Sequence, residues 1–114
     1  MDPETARERL REEQKRVEGL VQELRSELGA GEEPAELADY DQHPADSASD
    51  TFERERDLGL LEDLEQELAE IEAALDRIDN GTYGIDEVTG EPIDDARLEA
   101  FPVARTNVSS EERP

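Results

Sequence analysis

The chain contains no cysteine and no tryptophan. Without cysteine there is no disulfide, no thiolate metal ligand and no thiol nucleophile. It has a single histidine, His43, and a single lysine, Lys15. One histidine without cysteines falls short of both a closed structural zinc site and a nucleophile–base pair. Aromatic residues make up 4% of the 114 positions and hydrophobic residues 33%. That is too little apolar material for a thick globular core, but it suits a helical hairpin with a narrow seam. No apolar run approaches the ~20 residues that span a membrane. There is no glycine-rich phosphate loop. The opening residues, Met1-Asp2-Pro3-Glu4, lack the charged-then-apolar layout of a signal peptide. A cytoplasmic, non-enzymatic protein is the expectation.

What is present is acidity. There are 34 Asp and Glu against 12 Lys and Arg, a net charge of −22. A chain of this sign gains nothing from counterion release on DNA or RNA, so direct nucleic-acid binding is not expected. A basic partner surface is favoured instead. General solubility, or a salt-rich cytoplasm, is the simpler account of the charge.

The apolar residues are periodic. From Pro3 to Leu28 they fall at Leu10, Val17, Leu20, Val21, Leu24 and Leu28, a narrow helical stripe. Gly29 and Gly31 follow as stop signals. The stretch 29–46 is rich in Gly, Pro, Asp and Ala, with Pro34 and Pro44 as breakers, and reads as a loop holding at most a short turn of helix. From about Ser47 to Asp79 the residues Leu61, Leu64, Leu68, Ile71, Leu75 and Ile78 step by 3, 4, 3, 4 and 3, a heptad seam. Asn80 and Gly81 end it. The two stripes predict a mainly α fold: an antiparallel coiled-coil hairpin over 1–79 with its tip loop at about 29–46. Exposed heptads can also pair between chains, but a monomer is the expected state.

A small module follows over 80–106, with a flexible tail at 107–114. Ile85 to Gly90 predicts a hairpin-like turn, and Asp94 to Ala100 a short helix capped by Asp94. Gly81 to Ile93 has the outline of a zinc knuckle, which places two thiolates three positions apart just before a glycine. Here those positions hold Asp86 and Thr89. Packing by Tyr83, Ile85, Val88, Ile93, Leu98 and Phe101 against the hairpin base, with hydrogen bonds from Asp86 and Thr89, is the expected substitute for a metal.

Three stretches in order carry a family resemblance. The first is Tyr40-Asp41-Gln42-His43-Pro44-Ala45-Asp46-Ser47-Ala48 with Phe52-Glu53-Arg54-Glu55-Arg56-Asp57. The second is Ile78-Asp79-Asn80-Gly81-Thr82-Tyr83-Gly84-Ile85. The third is Glu91-Pro92-Ile93 with Arg97-Leu98-Glu99-Ala100-Phe101-Pro102-Val103-Ala104. On these the chain resembles the DksA/TraR family of bacterial transcription regulators, in its YteA-like branch. The resemblance implies a coiled-coil hairpin joined to a zinc-finger module. It also implies a protein that binds RNA polymerase through the secondary channel, its acidic tip acting near the active centre. Some members act with the alarmone ppGpp, which makes ppGpp an indirect partner.

The same resemblance assigns residues. The tip motif Asp-x-x-Asp-x-Ala falls on His43, Asp46 and Ala48, and Asp41 offers a carboxylate in place of the first Asp. The four cysteine positions fall on Asp86, Thr89, Asn107 and Ser110. One charged ligand among an amide and two hydroxyls makes a poor zinc site, so no zinc and no other cofactor is expected. Arg54 and Arg56 either touch the polymerase or pair with Glu53, Glu55 and Asp57 along the helix. An acidic coiled-coil adaptor without polymerase activity is the competing reading. A mimic of nucleic acid is a third.

Overall fold

A computed structural model of the chain describes residues 1–29 and 44–111, with side chains over 1–29 and 50–109. The expected tip loop, including Asp41 and His43, lies largely outside these residues, as does the end of the tail, 112–114. Four helices follow in order: α1 (Pro3–Leu28), α2 (Pro44–Asn80), α3 (Asp95–Ala100) and α4 (Val108–Glu111). No strand is present among the described residues, and the fold is mainly α.

α2 begins three residues earlier than its periodicity predicts. Pro44 breaks a helix only when it sits inside one. Here it is the first helical residue, where its fixed φ is suitable and its missing N–H is not needed. The other end closes as expected. Gly81 adopts φ 76°, its N–H donates to the Ile78 carbonyl at 3.2 Å, and the Thr82 N–H donates to the Arg77 carbonyl at 2.8 Å. This paired capping satisfies carbonyls that the helix end leaves open, and a left-handed residue there favours glycine.

The chain forms two compact units, Arg16–Glu67 and Met1–Lys15 with Leu68–Pro114. In the first, α1 contributes buried Val17, Val21, Leu24 and Leu28, and α2 contributes buried Leu61 with half-buried Leu64. Arg16 pairs with Glu67 at 3.6 Å, and Arg25 pairs with Glu65. Later positions of α1 thus meet earlier positions of α2, the antiparallel order. Exposed pairs of this kind contribute about 0–1 kcal/mol each, whereas burying a Leu or Val contributes about 1.5–3 kcal/mol. The apolar seam therefore holds the pair, and the arginines chiefly offset the acidic face.

Leu20 departs from the expected stripe: it is 38% exposed. Val21, its neighbour, takes the seam position, since adjacent residues on a helix point about 100° apart. Leu20 instead lines an open groove of about 240 Å³ with Glu23, Leu24, Glu27, Leu60 and Leu64.

In the other unit, Ala6 and Leu10 of α1 are buried, as are Ile71, Ala74, Leu75 and Ile78 of α2. Arg7 Nη1 lies 2.7 Å from Asp79 Oδ1. The module after α2 has its own small core of Ile93, Leu98 and Ala104, with Met1 and Tyr83 packed against it. Ile85, Val88 and Phe101, expected in this packing, are 40%, 62% and 49% exposed. Ala104 and Met1, not among the residues expected there, are part of this packing. The expected turn is present as an isolated antiparallel bridge, Ile85 with Pro92. It is held by the Asp86 N–H to the Glu91 carbonyl and the Ile93 N–H to the Gly84 carbonyl, both 2.8 Å. Asp94 precedes α3, but its side chain makes no capping hydrogen bond; its carbonyl accepts from Arg97 and Leu98 instead. Within the expected tail, the Asn107 side chain bonds to Asp94 and Pro92, and α4 follows.

Candidate functional site

Two regions carry the residues singled out by sequence. The first is the N-terminal part of α2. Asp46 and Ala48 fall in its opening turns, where the helix dipole favours a carboxylate. Further along, Arg54 Nη1 donates to the Leu28 carbonyl at 2.9 Å. That bond places a cation from α2 on the C-terminal carbonyl end of α1, a favourable dipole contact. Arg56 reaches Asp57 Oδ1 at 3.7 Å and is mostly exposed, so it remains available to a partner. Neither arginine pairs with Glu53 or Glu55 in any ion pair recorded among the described residues.

The second region is the knuckle. Asp86 is 1% exposed and is the buried acidic residue of the described chain. Its Oδ1 accepts the backbone N–H groups of Val88 at 2.7 Å and Thr89 at 3.0 Å. Its Oδ2 accepts the N–H of Asn107 at 2.9 Å. The Asn107 side chain extends the network: Oδ1 accepts the Asp94 N–H at 2.9 Å, and Nδ2 donates to the Pro92 carbonyl at 3.1 Å. Thr89 Oγ1 accepts the Glu91 N–H at 3.2 Å. Three positions that the resemblance assigned to cysteines, 86, 89 and 107, are thus brought together by hydrogen bonds. The side chain of the fourth, Ser110, lies outside those described. Among the described residues there is no group of three or more His, Cys, Asp or Glu able to hold a metal ion.

A third cluster was invisible in the sequence. Arg105 donates to Glu70 through Nε at 3.0 Å and Nη2 at 3.2 Å, and to Glu87 through Nη1 at 3.1 Å. These contacts push the Arg105 pKa up, the Glu70 hydrogen bond foremost. Beside it, Arg77 Nη2 donates to the Val103 carbonyl at 3.2 Å, while Nη1 is buried without a hydrogen-bond partner. Burial, and then Arg105, lower the Arg77 pKa. Tyr83 Oη donates to the Pro102 carbonyl at 2.9 Å. The cluster ties α2 to the turn and to the segment 102–105. No local pattern marks it, because its members are scattered from position 70 to position 105.

No family model matches the chain. It is 45% identical over 86 residues to the protein YteA of Bacillus subtilis, covering 69% of this chain and 36% of YteA. It is 38% identical over 104 residues to the RNA polymerase-binding transcription factor DksA of Caulobacter vibrioides, covering 91% of this chain and 63% of that one. The matched chain therefore spans between a third and two thirds of the length of these relatives. The structure of the transcription factor DksA2 from Pseudomonas aeruginosa superposes with a TM-score of 0.82 at 29% identity, over 97% of this chain and 81% of that one. No helix among the described residues is long and apolar enough to cross a membrane.

Proposed function

Because the chain belongs to the DksA/TraR family, we propose that it is a transcription regulator that binds bacterial RNA polymerase through the secondary channel. The observation that carries this reading is the joint match, in sequence and in fold, to proteins named for polymerase binding and transcription. The physical properties agree with it. A net charge of −22 suits a basic protein surface and opposes direct contact with nucleic acid. In this reading the acidic tip, with Asp46 and Ala48 on α2 and Asp41 and His43 ahead of it, approaches the active centre. A carboxylate there acts on a basic element or on magnesium ligation rather than performing chemistry itself. Arg56 is the better candidate for a polymerase contact, since Arg54 is engaged with the end of α1. The protein acts as a monomer in the cytoplasm, and any ppGpp partnership is indirect.

The test is a pull-down with core polymerase at physiological salt, followed by transcription in vitro from a ribosomal and an amino-acid promoter. The protein is expected to be retained and to change output. Asp46→Asn should reduce the change in transcription more than it reduces retention. If neither core enzyme nor holoenzyme retains the protein, the reading is wrong.

A further inference from the structure

The family resemblance implies zinc in the module, but the residues present do not fit it. Zinc sites of this kind are closed tetrahedra of sulfur and imidazole ligands. Of the candidate donors here only Asp86 is charged, and its oxygens are already committed. Oδ1 accepts two N–H groups, from Val88 and Thr89, and Oδ2 accepts the Asn107 N–H. A carboxylate oxygen has two lone-pair sites, so Oδ1 is saturated. The Asn107 amide is committed through both its atoms. Hydrogen-bond donors thus converge on a buried anion, which is the reverse of a cation site.

We propose that Asp86 does the structural work a metal would do. A zinc ion joins two knuckles by bonding to both. Asp86 joins the same two stretches by hydrogen bonds, one oxygen to positions 88 and 89, the other to position 107. Asn107 then clasps the outer loop through Pro92 and Asp94. A buried carboxylate is costly unless fully hydrogen-bonded, and bonds to a charged acceptor are about twice as strong as neutral ones. The burial of Asp86 therefore requires this set of donors, and the donors in turn fix the geometry of residues 86–89, 92–94 and 107. A module closed in this way keeps its fold in the presence of chelators and thiol oxidants, because it contains neither metal nor thiol.

The inference does not depend on polymerase binding, and its readout is separate from transcription. The full chain is purified from zinc-supplemented medium, its metal content is measured, and backbone amide exchange is followed with EDTA and with added zinc. The expected result is less than stoichiometric zinc and unchanged protection at Val88, Thr89 and Asn107 in either condition. Asp86→Asn keeps the size of the side chain but turns an N–H₂ group towards a backbone donor. We expect exchange at Asn107 to accelerate about tenfold or more, the equivalent of losing one charge-assisted bond. If that variant does not fold, Asn107→Ala removes only the bonds to Pro92 and Asp94 and should accelerate the Asp94 amide by a similar factor. One equivalent of zinc whose removal exposes these amides would overturn the proposal. So would unchanged exchange in both variants.

Discussion

Replacing Leu98 with alanine should open the module selectively. Leu98 is 2% exposed and belongs to a core that, among the described residues, holds two other buried residues, Ile93 and Ala104, flanked by Met1 and Tyr83. The substitution removes three carbon groups, worth ~2.4 kcal/mol in transfer free energy. The cavity left behind adds a further amount that depends on how far the site collapses. A core this small, with Met1 and Tyr83 at its edge, can relax in part. We therefore expect a total near 2.5–4 kcal/mol, towards the lower half of the range for buried leucines. Native-state amide exchange is the assay. The Ile93 and Asp86 amides report on the turn through their bonds to Gly84 and Glu91. Both should exchange roughly 60- to 700-fold faster, by the factor of ten per 1.4 kcal/mol. Amides of Leu24 and Leu64, in the unit formed by Arg16–Glu67, should change by less than about threefold if the module opens by local unfolding. An acceleration below about tenfold at Ile93 and Asp86 would refute the packing argument. Equal acceleration at Leu24 and Leu64 would refute local opening.

Two other perturbations test the fold at single residues. Burial pushes the Tyr83 phenol above its ordinary value near 10.0, against the opposing pull of Arg77 and Arg9. The neutral phenol donates to the Pro102 carbonyl, so this contribution is complete below the unfolded pKa and is lost as pH rises through the higher folded value. Phenolate absorbance of the wild type minus that of Tyr83→Phe should show a titration displaced above pH ~10, and a difference curve centred at or below that value would contradict it. The second test pairs two glycines. Gly84 has φ 82°, and an added Cβ would meet Leu98 Cδ1 at an ordinary 3.6 Å, so the cost of Gly84→Ala is backbone strain of about 1–2 kcal/mol. Gly59, within α2, has open space around its Cα, and Gly59→Ala should stabilise by about 0.8–1 kcal/mol. Urea midpoints should move in opposite directions.

Much of the fold was legible because its causes are local. The 3, 4 spacing of Leu61 to Ile78 demands a helix with one apolar stripe. Gly81 is a stop signal wherever it follows such a stripe. Pro44 is ambiguous in the sequence, because a proline breaks or starts a helix according to its position, and position is set by where the first turn closes. Leu20 was placed on the seam because two adjacent apolar residues, Leu20 and Val21, cannot be ranked by spacing alone. Ile85, Val88 and Phe101 were assigned to the module core by their hydrophobicity. In the fold all three are exposed, while Ala104 is buried with Ile93 and Leu98 and Met1 packs against them.

The sequence by itself determined that no thiolate site exists, that two amphipathic helices form, and that the chain is strongly acidic. Each follows from residue identity or from periodicity within a few turns. The family was also readable there, because its motifs are short and ordered. Only the tertiary structure decided what Asp86 does. Its bonds to Val88 and Thr89 are local, but the bond that closes the module comes from Asn107, twenty-one positions away. The same holds for Arg105, which reaches back thirty-five positions to Glu70. Contacts of this range depend on how loops and helices pack, and no spacing along the chain encodes them.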